Sequence, residues 1–372
     1  MTIAAYSFPR KIKFGSGASL NLAEELPLGA KVLVVAGTTV AKSPSGRKVL
    51  ESIGKVTCTI YTGVPPEPPL ETVDELIAIG RKYMVNTVVA IGGGSVIDAA
   101  KAAAALIPLE GHTADYFFDR LHIQRKGLFF AALPTTAGTG AESTNNAVLT
   151  DTKSKIKKSL RHPTMIADTA IVDPDLTLTC PRDLTAFSGL DAFVQAFESF
   201  TSPRATALTR ALSTEAVRKI FDSLEIACKE PENIRARTEM AEGSMLSGMA
   251  FSQTGLGAIH GLAHPVGSLL GVPHGLACAI LMRAVLEFNM QACADLYADL
   301  ADRAFIGSDA RSFIRAAGDL AEKLNVPENL RSFALHRSDF DFIIKNCRSA
   351  SMKQNPREMT DRDVEQILEK ML

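Results

Sequence analysis

The fold of this chain is decided by residues 86–107, NTVVAIGGGSVIDAAKAAAALI, where an apolar run leads into three glycines and then into an alanine-rich segment. The pattern predicts a buried strand within 86–94 and a helix from Ser95 to Ile107. Glycines at such a junction let the backbone turn closely and leave the first N–H groups of the helix exposed. The stretch therefore predicts a strand–turn–helix unit of an α/β fold.

The same alternation continues on both sides of this stretch. Strand-like runs lie at 31–37 (KVLVVAG), 55–63, 127–136 and 169–175, and helical patterns lie near 44–53 and in LETVDELIAIGRKY. Such alternation predicts a mostly parallel sheet covered by helices, as in a Rossmann-like domain. After Pro181 strand signals nearly vanish, and apolar positions recur with helical spacing. We expect an α/β dinucleotide-binding domain at 1–181 and an all-α domain at 182–372, with a cleft between them.

Composition narrows the class of partner. The formal net charge of -1 provides no basic excess for nucleic acid or an anionic membrane. No uninterrupted apolar run is long enough to cross a bilayer, and the N-terminus lacks the hydrophobic segment of a secretory signal. The 6 cysteines show no paired spacing. We expect a cytoplasmic protein without disulfides that acts on a small molecule and binds neither nucleic acid nor membrane.

Two loops of small residues follow successive strands. The first is GGGS at 92–95, and the second, LPTTAGTGAES at 133–143, offers the hydroxyls of Thr135, Thr136 and Thr139. Ligands of open α/β sheets bind beyond the carboxyl ends of the strands, so two such loops favour one shared nucleotide site. A tight strand-to-helix turn is the structural alternative for GGGS taken alone.

Three of the 7 histidines lie in AIHGLAHPVGSLLGVPH, residues 258–274. His260 and His274 could bind a divalent metal together with Asp191 and Gln195, which lie four residues apart on one helix face. One carboxylate, one amide oxygen and two imidazoles suit Fe(II), Zn(II) or another first-row ion. A helix cap, a solvated glutamine and core histidines are the structural alternatives. HGLAH lacks the glutamate of HExxH, so peptide hydrolysis has little support.

Together these motifs resemble the iron-containing (group III) alcohol dehydrogenase family, which shares a superfamily with glycerol dehydrogenase and dehydroquinate synthase. The motifs run in order along nearly the whole chain: FGSGA near residue 14, AIGGGSVIDAAK at 90–101, LPTTAGTGAES, AIVDPDLT at 170–177, GLDAFVQAFES, HGLAHPVGSLLGVPHG and NPR at 355–357. The resemblance implies a dehydroquinate synthase-like fold with a nucleotide-binding α/β domain and a helical metal-binding domain.

The resemblance also implies a set of cofactor-binding residues in the N-terminal half. They are Gly37, Thr38, Thr39, Gly92, Gly93, Gly94, Ser95, Asp98, Thr135, Thr136, Thr139 and Lys157. Lys157 matches a ribose-binding lysine, and Asp98 falls near the nicotinamide and substrate, in a catalytic position. Their alternatives are a solvated lysine and a charge at a helix start. NAD-preferring relatives often carry an aspartate near Gly37 that repels a 2′-phosphate. This chain has Thr38 and Thr39 there and no acid, so NADP should be tolerated alongside NAD.

On the metal side, the family uses one aspartate and three histidines. Asp191, His260 and His274 match three of these ligands, and Gln195 stands where the remaining histidine belongs. An amide oxygen is a poorer donor than imidazole, so we expect weaker metal retention, an altered metal or metal-free action. His264 matches a catalytic, non-ligand histidine near the substrate and is a candidate proton relay.

The implied activity is reversible hydride transfer between NAD or NADP and a small primary alcohol or its aldehyde, assisted by iron or zinc. The alternatives are a maleylacetate reductase, a lyase like dehydroquinate synthase, and a non-catalytic nucleotide-binding protein. The segment RSASMKQNPR at 348–357 has three positive charges and no acid. It would suit an anionic substrate, and a solvated surface loop is the alternative reading. The resemblance further implies a homodimer or larger homo-oligomer.

Overall fold

The computed structural model describes residues 5–54, 56–154 and 156–372. The strands are β1 (Lys11–Phe14), β2 (Lys31–Ala36), β3 (Thr57–Tyr61), β4 (Thr87–Gly92), β5 (Phe129–Pro134), β6 (Asn146–Asp151), β7 (Ile156–Arg161) and β8 (Thr169–Val172). The helices are α1 (Leu22–Glu25), α2 (Thr38–Lys42), α3 (Pro44–Ser52), α4 (Leu70–Lys82), α5 (Gly94–Leu106), α6 (Thr113–Phe117), α7 (Arg182–Thr201), α8 (Ala207–Lys229), α9 (Ile234–Thr254), α10 (Ala258–Leu270), α11 (His274–Arg303), α12 (Ala310–Lys323), α13 (Phe340–Asn346) and α14 (Asp361–Lys370).

These elements form two compact units. The first extends to Thr136 and includes Gly140–Cys180, and the second consists of Ala137–Thr139 and Pro181–Leu372. The first unit is built on a six-stranded sheet in the order β1-β8-β5-β4-β2-β3. Every pairing in that sheet is parallel. The predicted α/β class with a mostly parallel sheet is confirmed.

Strand β4 lies inside the sheet, between β2 and β5. Its residues Val88, Val89 and Ala90 are fully buried, which explains the continuous apolar run in the sequence. From β2 the chain goes to the edge strand β3, returns past β2 to β4, and then continues to β5. The direction of the strand order therefore reverses between β2 and β4, which is where ligands of such sheets bind.

A separate two-stranded antiparallel sheet, β6 with β7, was not predicted from the sequence. Strand β7 reads IKKSLR and buries only Leu160. Its lysines suggested a solvated charge run, and only the pairing with β6 gives the segment its extended form. The edge strand β1, KIKF, was missed for the same reason, because it has no buried residue.

The second unit is helical, as predicted, and residues 181–372, all of which are described, contain no strand. Aromatic side chains from α7, α11 and α12 build its core, with Phe193 and Phe313 fully buried. The centroid of the Phe313 ring is 6.2 Å from that of Phe193 and 5.6 Å from that of Tyr297. Helix α11 is long and apolar enough to cross a membrane, but 67% of its most apolar window is buried in the protein. That burial is what a central core helix requires.

Candidate functional site

Three strand ends of the first unit lie side by side at the carboxyl edge of the sheet. Gly37, just after β2, donates its N–H to the carbonyl of Ile91 on β4 at 2.8 Å. Thr135, just after β5, donates its N–H to the carbonyl of Gly92 at 3.0 Å. The predicted cofactor-binding loops after β2, β4 and β5 are thereby joined in one row. Thr139 belongs to the second unit.

Close packing explains why the turn after β4 consists of glycines. A Cβ on Gly92 would lie 2.6 Å from the Cβ of Val96, too close for any side chain. A Cβ on Gly93 would lie 3.4 Å from the side chain of Thr136. Gly93 is the N-cap of α5, and no side chain caps that end. The first N–H groups of a 13-residue helix are thus left for another acceptor, as a dinucleotide pyrophosphate would provide.

Lys157 is held beside this turn and is not solvated. Its side chain is 9% exposed, and its Nζ is 2.6 Å from Glu67 Oε1. The backbone N–H of Glu67 in turn donates to Ser95 Oγ at 3.2 Å. The chain of contacts connects Lys157 on β7 to the start of α5. The reading of Lys157 as a solvated member of a basic run is wrong, because its charge is paired and largely buried.

Asp98 and Lys101, one turn further along α5, are buried in the body of the first unit. Asp98 Oδ2 accepts the N–H of Val148 at 3.0 Å, and burial raises the pKa of Asp98 to about 6. Lys101 Nζ donates to the carbonyls of Ala141, Thr144 and Asn146 at 2.7 to 3.0 Å, and burial lowers its pKa to about 8. Both side chains fix the segment leading into β6. That Asp98 also acts in catalysis stays a prediction.

Three helices of the second unit bring candidate metal ligands together. Asp191 lies on α7, His260 on α10, and His274 begins α11. The ligand atoms of these residues and of Cys278 all lie within 4.8 Å of one another. The Nε2 atoms of His260 and His274 are 3.2 and 3.8 Å from Asp191 Oδ1. Nitrogen, sulfur and carboxylate donors suit a first-row ion such as zinc or iron better than magnesium or calcium, which prefer oxygen.

A buried glutamate fixes the His260 ring. Glu198, seven residues after Asp191 on α7, has Oε2 2.6 Å from His260 Nδ1. Its two oxygens also accept the N–H groups of Gly257 and Ile259 at 2.8 Å each. A carboxylate behind a ligating histidine holds the ring orientation and the proton on the far nitrogen. Sequence reasoning missed Glu198, although its spacing from Asp191 places both on one helix face.

His260 therefore lies between two carboxylates. Burial alone would lower the pKa of His260, but the neighbouring Cys278, Glu198 and Asp191 raise it well above its usual value. A cation that binds the Nε2 atom must displace a proton from it.

Gln195 also faces the cluster, but with its amide nitrogen. Its Nε2 donates to Asp191 Oδ2 at 2.8 Å, and its Oε1 accepts from Ser247 Oγ at 3.3 Å. This orientation follows from donor chemistry, because a carboxylate only accepts hydrogen bonds. An oxygen ligand from Gln195 stays a prediction.

Cys278 is the fourth member of the cluster, and His264 lies beside it against the ring of His274. Cys278, one turn after His274, is fully buried, and its Sγ is 3.9 Å from His274 Nε2. Burial raises the pKa of the Cys278 thiol to about 11, against the opposing effect of His260. Sequence reasoning missed this thiol, although its four-residue spacing from His274 was a usable signal. His264 is half-buried, and its ring stacks on that of His274 with centroids 5.1 Å apart.

Family models match both halves of the chain. The model for iron-containing alcohol dehydrogenase matches residues 9–174, and the C-terminal model of the same family matches residues 185–372. The chain belongs to the iron-containing alcohol dehydrogenase family. The predicted resemblance is confirmed.

Proteins similar to this alcohol dehydrogenase family member align over nearly all of the chain. The long-chain-alcohol dehydrogenase 1 of Geobacillus thermodenitrificans is 33% identical, covering 99% of this chain and 97% of its own length. The NADPH-dependent butanol dehydrogenase of Clostridium saccharobutylicum is 30% identical, with coverages of 98% and 97%. The crystal structure of sulfoacetaldehyde reductase from Bifidobacterium kashiwanohense in complex with NAD+ is 28% identical, with coverages of 100% and 99% and a TM-score of 0.94.

The basic segment 348–357 of this family member is used within its own helical unit. Arg348 donates to the carbonyl of Met359 at 2.6 Å, and Arg357 lies over the ring of Phe288 at 3.9 Å. Asn355 accepts the N–H of Ala258 at 3.2 Å, at the start of α10. The segment is therefore not a freely solvated loop, because its arginines have partners within the protein. Its role as a site for an anion stays a prediction.

Proposed function

We propose that this chain interconverts small primary alcohols and their aldehydes with NAD(P) and the help of a divalent metal. The observation that carries the proposal is the convergence of Asp191, His260 and His274 in a chain of the iron-containing alcohol dehydrogenase family. The names of two relatives, a butanol dehydrogenase and a long-chain-alcohol dehydrogenase, support an alcohol or aldehyde substrate.

In the first unit, the chain's part is to bind and orient the dinucleotide, whose nicotinamide accepts or supplies the hydride. The uncapped N–H groups at the start of α5 would bind the pyrophosphate, and Gly92 lets the start of that helix pack closely on the end of β4. Lys157 would contact the ribose, because its ammonium lies beside the turn and is held there by Glu67. Thr135 and Thr136 add hydroxyls on the neighbouring strand end.

In the second unit, Asp191, His260 and His274 would hold the metal. When bound, a divalent cation would supply Lewis-acid chemistry towards the oxygen of the alcohol or aldehyde. Glu198 accepts a hydrogen bond from the Nδ1–H of His260 and so would hold Nε2, once it has lost its proton, directed at the cluster as a ligand. The half-buried imidazole of His264 would exchange the substrate proton with solvent, as in general acid–base catalysis.

We infer that NADP(H) is accepted as well as NAD(H). The loop after β2 reads Gly37-Thr38-Thr39 and contains no acid that would repel a 2′-phosphate. Thr39 is exposed, and the Thr38 hydroxyl donates to the carbonyl of Thr62 at 3.0 Å. We also infer an uncharged substrate, because Arg348 and Arg357 are held by their own chain.

The test is an assay of NADPH and NADH oxidation with butanal and with an aldehyde that carries a carboxylate. The full-length chain is measured as purified, after complete metal removal, and after return of zinc or ferrous ion. We expect loss of turnover on removal and recovery on return. Activity untouched by complete metal removal would contradict the Lewis-acid role.

Two matched histidine variants complete the test. His274→Ala should abolish the recovery by added metal, because it removes one imidazole of the cluster. His122→Ala is the control, because His122 is exposed in the first unit. Binding of NADPH without turnover of any aldehyde would favour the alternative of a non-catalytic nucleotide-binding protein.

A further inference from the structure

We infer that Cys278 is the fourth protein ligand of the metal, in place of the histidine that this chain lacks at Gln195. The resulting site has one carboxylate, two imidazoles and one thiolate. The inference rests on the metal-assisted function proposed above and goes beyond it, since it assigns a sulfur ligand and a preference among metals.

The distances in the cluster fit a single bound ion. Zinc bonds of about 2.0 Å to nitrogen and oxygen and about 2.3 Å to sulfur place ligand atoms of a tetrahedral site about 3.3–3.6 Å apart. The observed separations are 3.2 Å for His260 Nε2 to Asp191 Oδ1, 3.8 Å for His274 Nε2 to Asp191 Oδ1, and 3.9 Å for Cys278 Sγ to His274 Nε2. The remaining separations among the four ligand atoms are no greater than 4.8 Å. Side-chain movements of up to about 1 Å therefore bring all four atoms to bonding distance.

The position of Cys278 suits this role. It follows His274 by one turn of α11, so both side chains leave the same face of that helix. Its thiol is fully buried against the two histidines and Asp191. On binding, the sulfur–metal bond forms as the thiol proton passes to solvent, and the cation provides the positive charge that the buried thiolate requires.

Gln195 is the competing fourth ligand, and its contacts oppose that role. To offer oxygen, its amide would have to rotate and give up the bonds to Asp191 Oδ2 and Ser247 Oγ. The rotated amide would turn an oxygen towards the Asp191 carboxylate, where two acceptors repel each other. Cys278 needs no such rearrangement.

A thiolate also changes which metal is preferred. Sulfur donors select zinc and cobalt over ions that favour oxygen. The neutral amide oxygen of a glutamine gives no such selection. We therefore expect the isolated protein to retain zinc in preference to ferrous ion. Four protein ligands still leave room for a substrate oxygen, because zinc expands to five-coordination.

The experiment is a titration of the metal-free, full-length chain with Co²⁺, followed by absorption spectroscopy. A sulfur ligand gives an intense sulfur-to-cobalt charge-transfer band in the near ultraviolet, which oxygen and nitrogen ligands do not give. X-ray absorption of the zinc-loaded protein provides a second readout, with a sulfur shell at about 2.3 Å. Neither measurement depends on turnover.

Variants assign the sulfur. Cys278→Ser should lose the charge-transfer band and weaken Co²⁺ binding by more than the ~10–100-fold typical of losing an outer partner. Cys293→Ser is the matched control, because Cys293 is also buried on α11 but lies outside the cluster. Gln195→Ala should keep the band and lose at most the ~10–100-fold in Co²⁺ affinity that removing an outer hydrogen-bond partner of Asp191 costs. Cys278→Ala offers a smaller replacement should the serine variant fail to fold, and the sulfur shell of the native protein needs no variant.

The outcomes separate this inference from the proposed function. Co²⁺ bound without a charge-transfer band, or a band that survives in Cys278→Ser, would overturn the sulfur ligand and leave the metal-assisted oxidoreductase intact. Weakening of Co²⁺ binding by more than ~100-fold in Gln195→Ala, with no charge-transfer band in the native protein, would assign the fourth position to the amide. No Co²⁺ binding at all would overturn both the sulfur ligand and the metal's part in the proposed function.

Discussion

Replacement of Glu198 tests how the protein builds its metal site. Glu198 accepts three hydrogen bonds in a buried position, from Gly257, Ile259 and the Nδ1 of His260. Glu198→Gln preserves the size of the side chain but turns an NH₂ group towards at least one of these donors. One unsatisfied buried donor costs about 1–3 kcal/mol, so we expect the unfolding free energy to fall by that amount.

The metal site should respond as well. With its second nitrogen no longer fixed by a carboxylate, His260 becomes a weaker and less directed ligand, and zinc affinity should fall by about 10–100-fold. Urea unfolding of the metal-free protein gives the stability, and competition with a zinc-binding dye gives the affinity. Glu365→Gln is the control, because Glu365 is exposed on α14. Native stability and native zinc affinity in Glu198→Gln would refute the role given to this carboxylate.

Three further predictions concern the nucleotide loops and the pH dependence. Gly92→Ala would overlap Val96 and shift the start of α5, which should cost about 1–3 kcal/mol of stability and raise the KM for NADPH at least about tenfold. Native NADPH binding and native urea unfolding would contradict this prediction. Gly37→Asp should raise the KM for NADPH about tenfold and spare that for NADH, since the carboxylate repels the 2′-phosphate; equal effects on both would count against the assignment. Burial raises the pKa of Glu142 to about 7, so its stabilising contribution is full in acid and is lost as the pH rises through about 7. The native protein should therefore lose more unfolding free energy than Glu142→Gln when the pH rises from about 5 to about 8, by up to about 3 kcal/mol. Urea curves of Glu142→Gln that match the native curves at both pH values would show that burial does not perturb this carboxyl.

The main sheet could be predicted from the sequence because its central strands carry strong local signals. The apolar run of β4 ends at glycines and leads into α5, and both elements begin or end within a few residues of the predicted bounds. Strands β6 and β7 gave no such signal. Strand β6 has only a short apolar run with Ala147 and Leu149 buried, and β7 buries only Leu160. The extended form of both depends on their pairing, which leaves little trace in a single sequence.

Part of the candidate metal site could also be predicted from the sequence. Helical spacing indicates which side chains share a face of α7, α10 or α11, and it grouped Asp191 with Gln195 and His260 with His264. Spacing does not indicate which faces meet, nor which atom of an amide turns inward. The spacing of Cys278 from His274 was a usable signal, but only the packing of the three helices shows that this thiol lies beside Asp191 and His260. The orientation of Gln195 likewise became visible only in the packed structure.

Hydrophobic packing holds the candidate metal ligands in place independently of any ion. Helices α7, α10 and α11 meet through buried apolar residues, and the histidines and Asp191 extend from a scaffold that is already folded. Small zinc-binding domains differ, because they lose their fold when the ion leaves. We therefore expect one bound cation to exchange for another without unfolding of this protein, so that the metals available during growth would influence which ion each molecule carries.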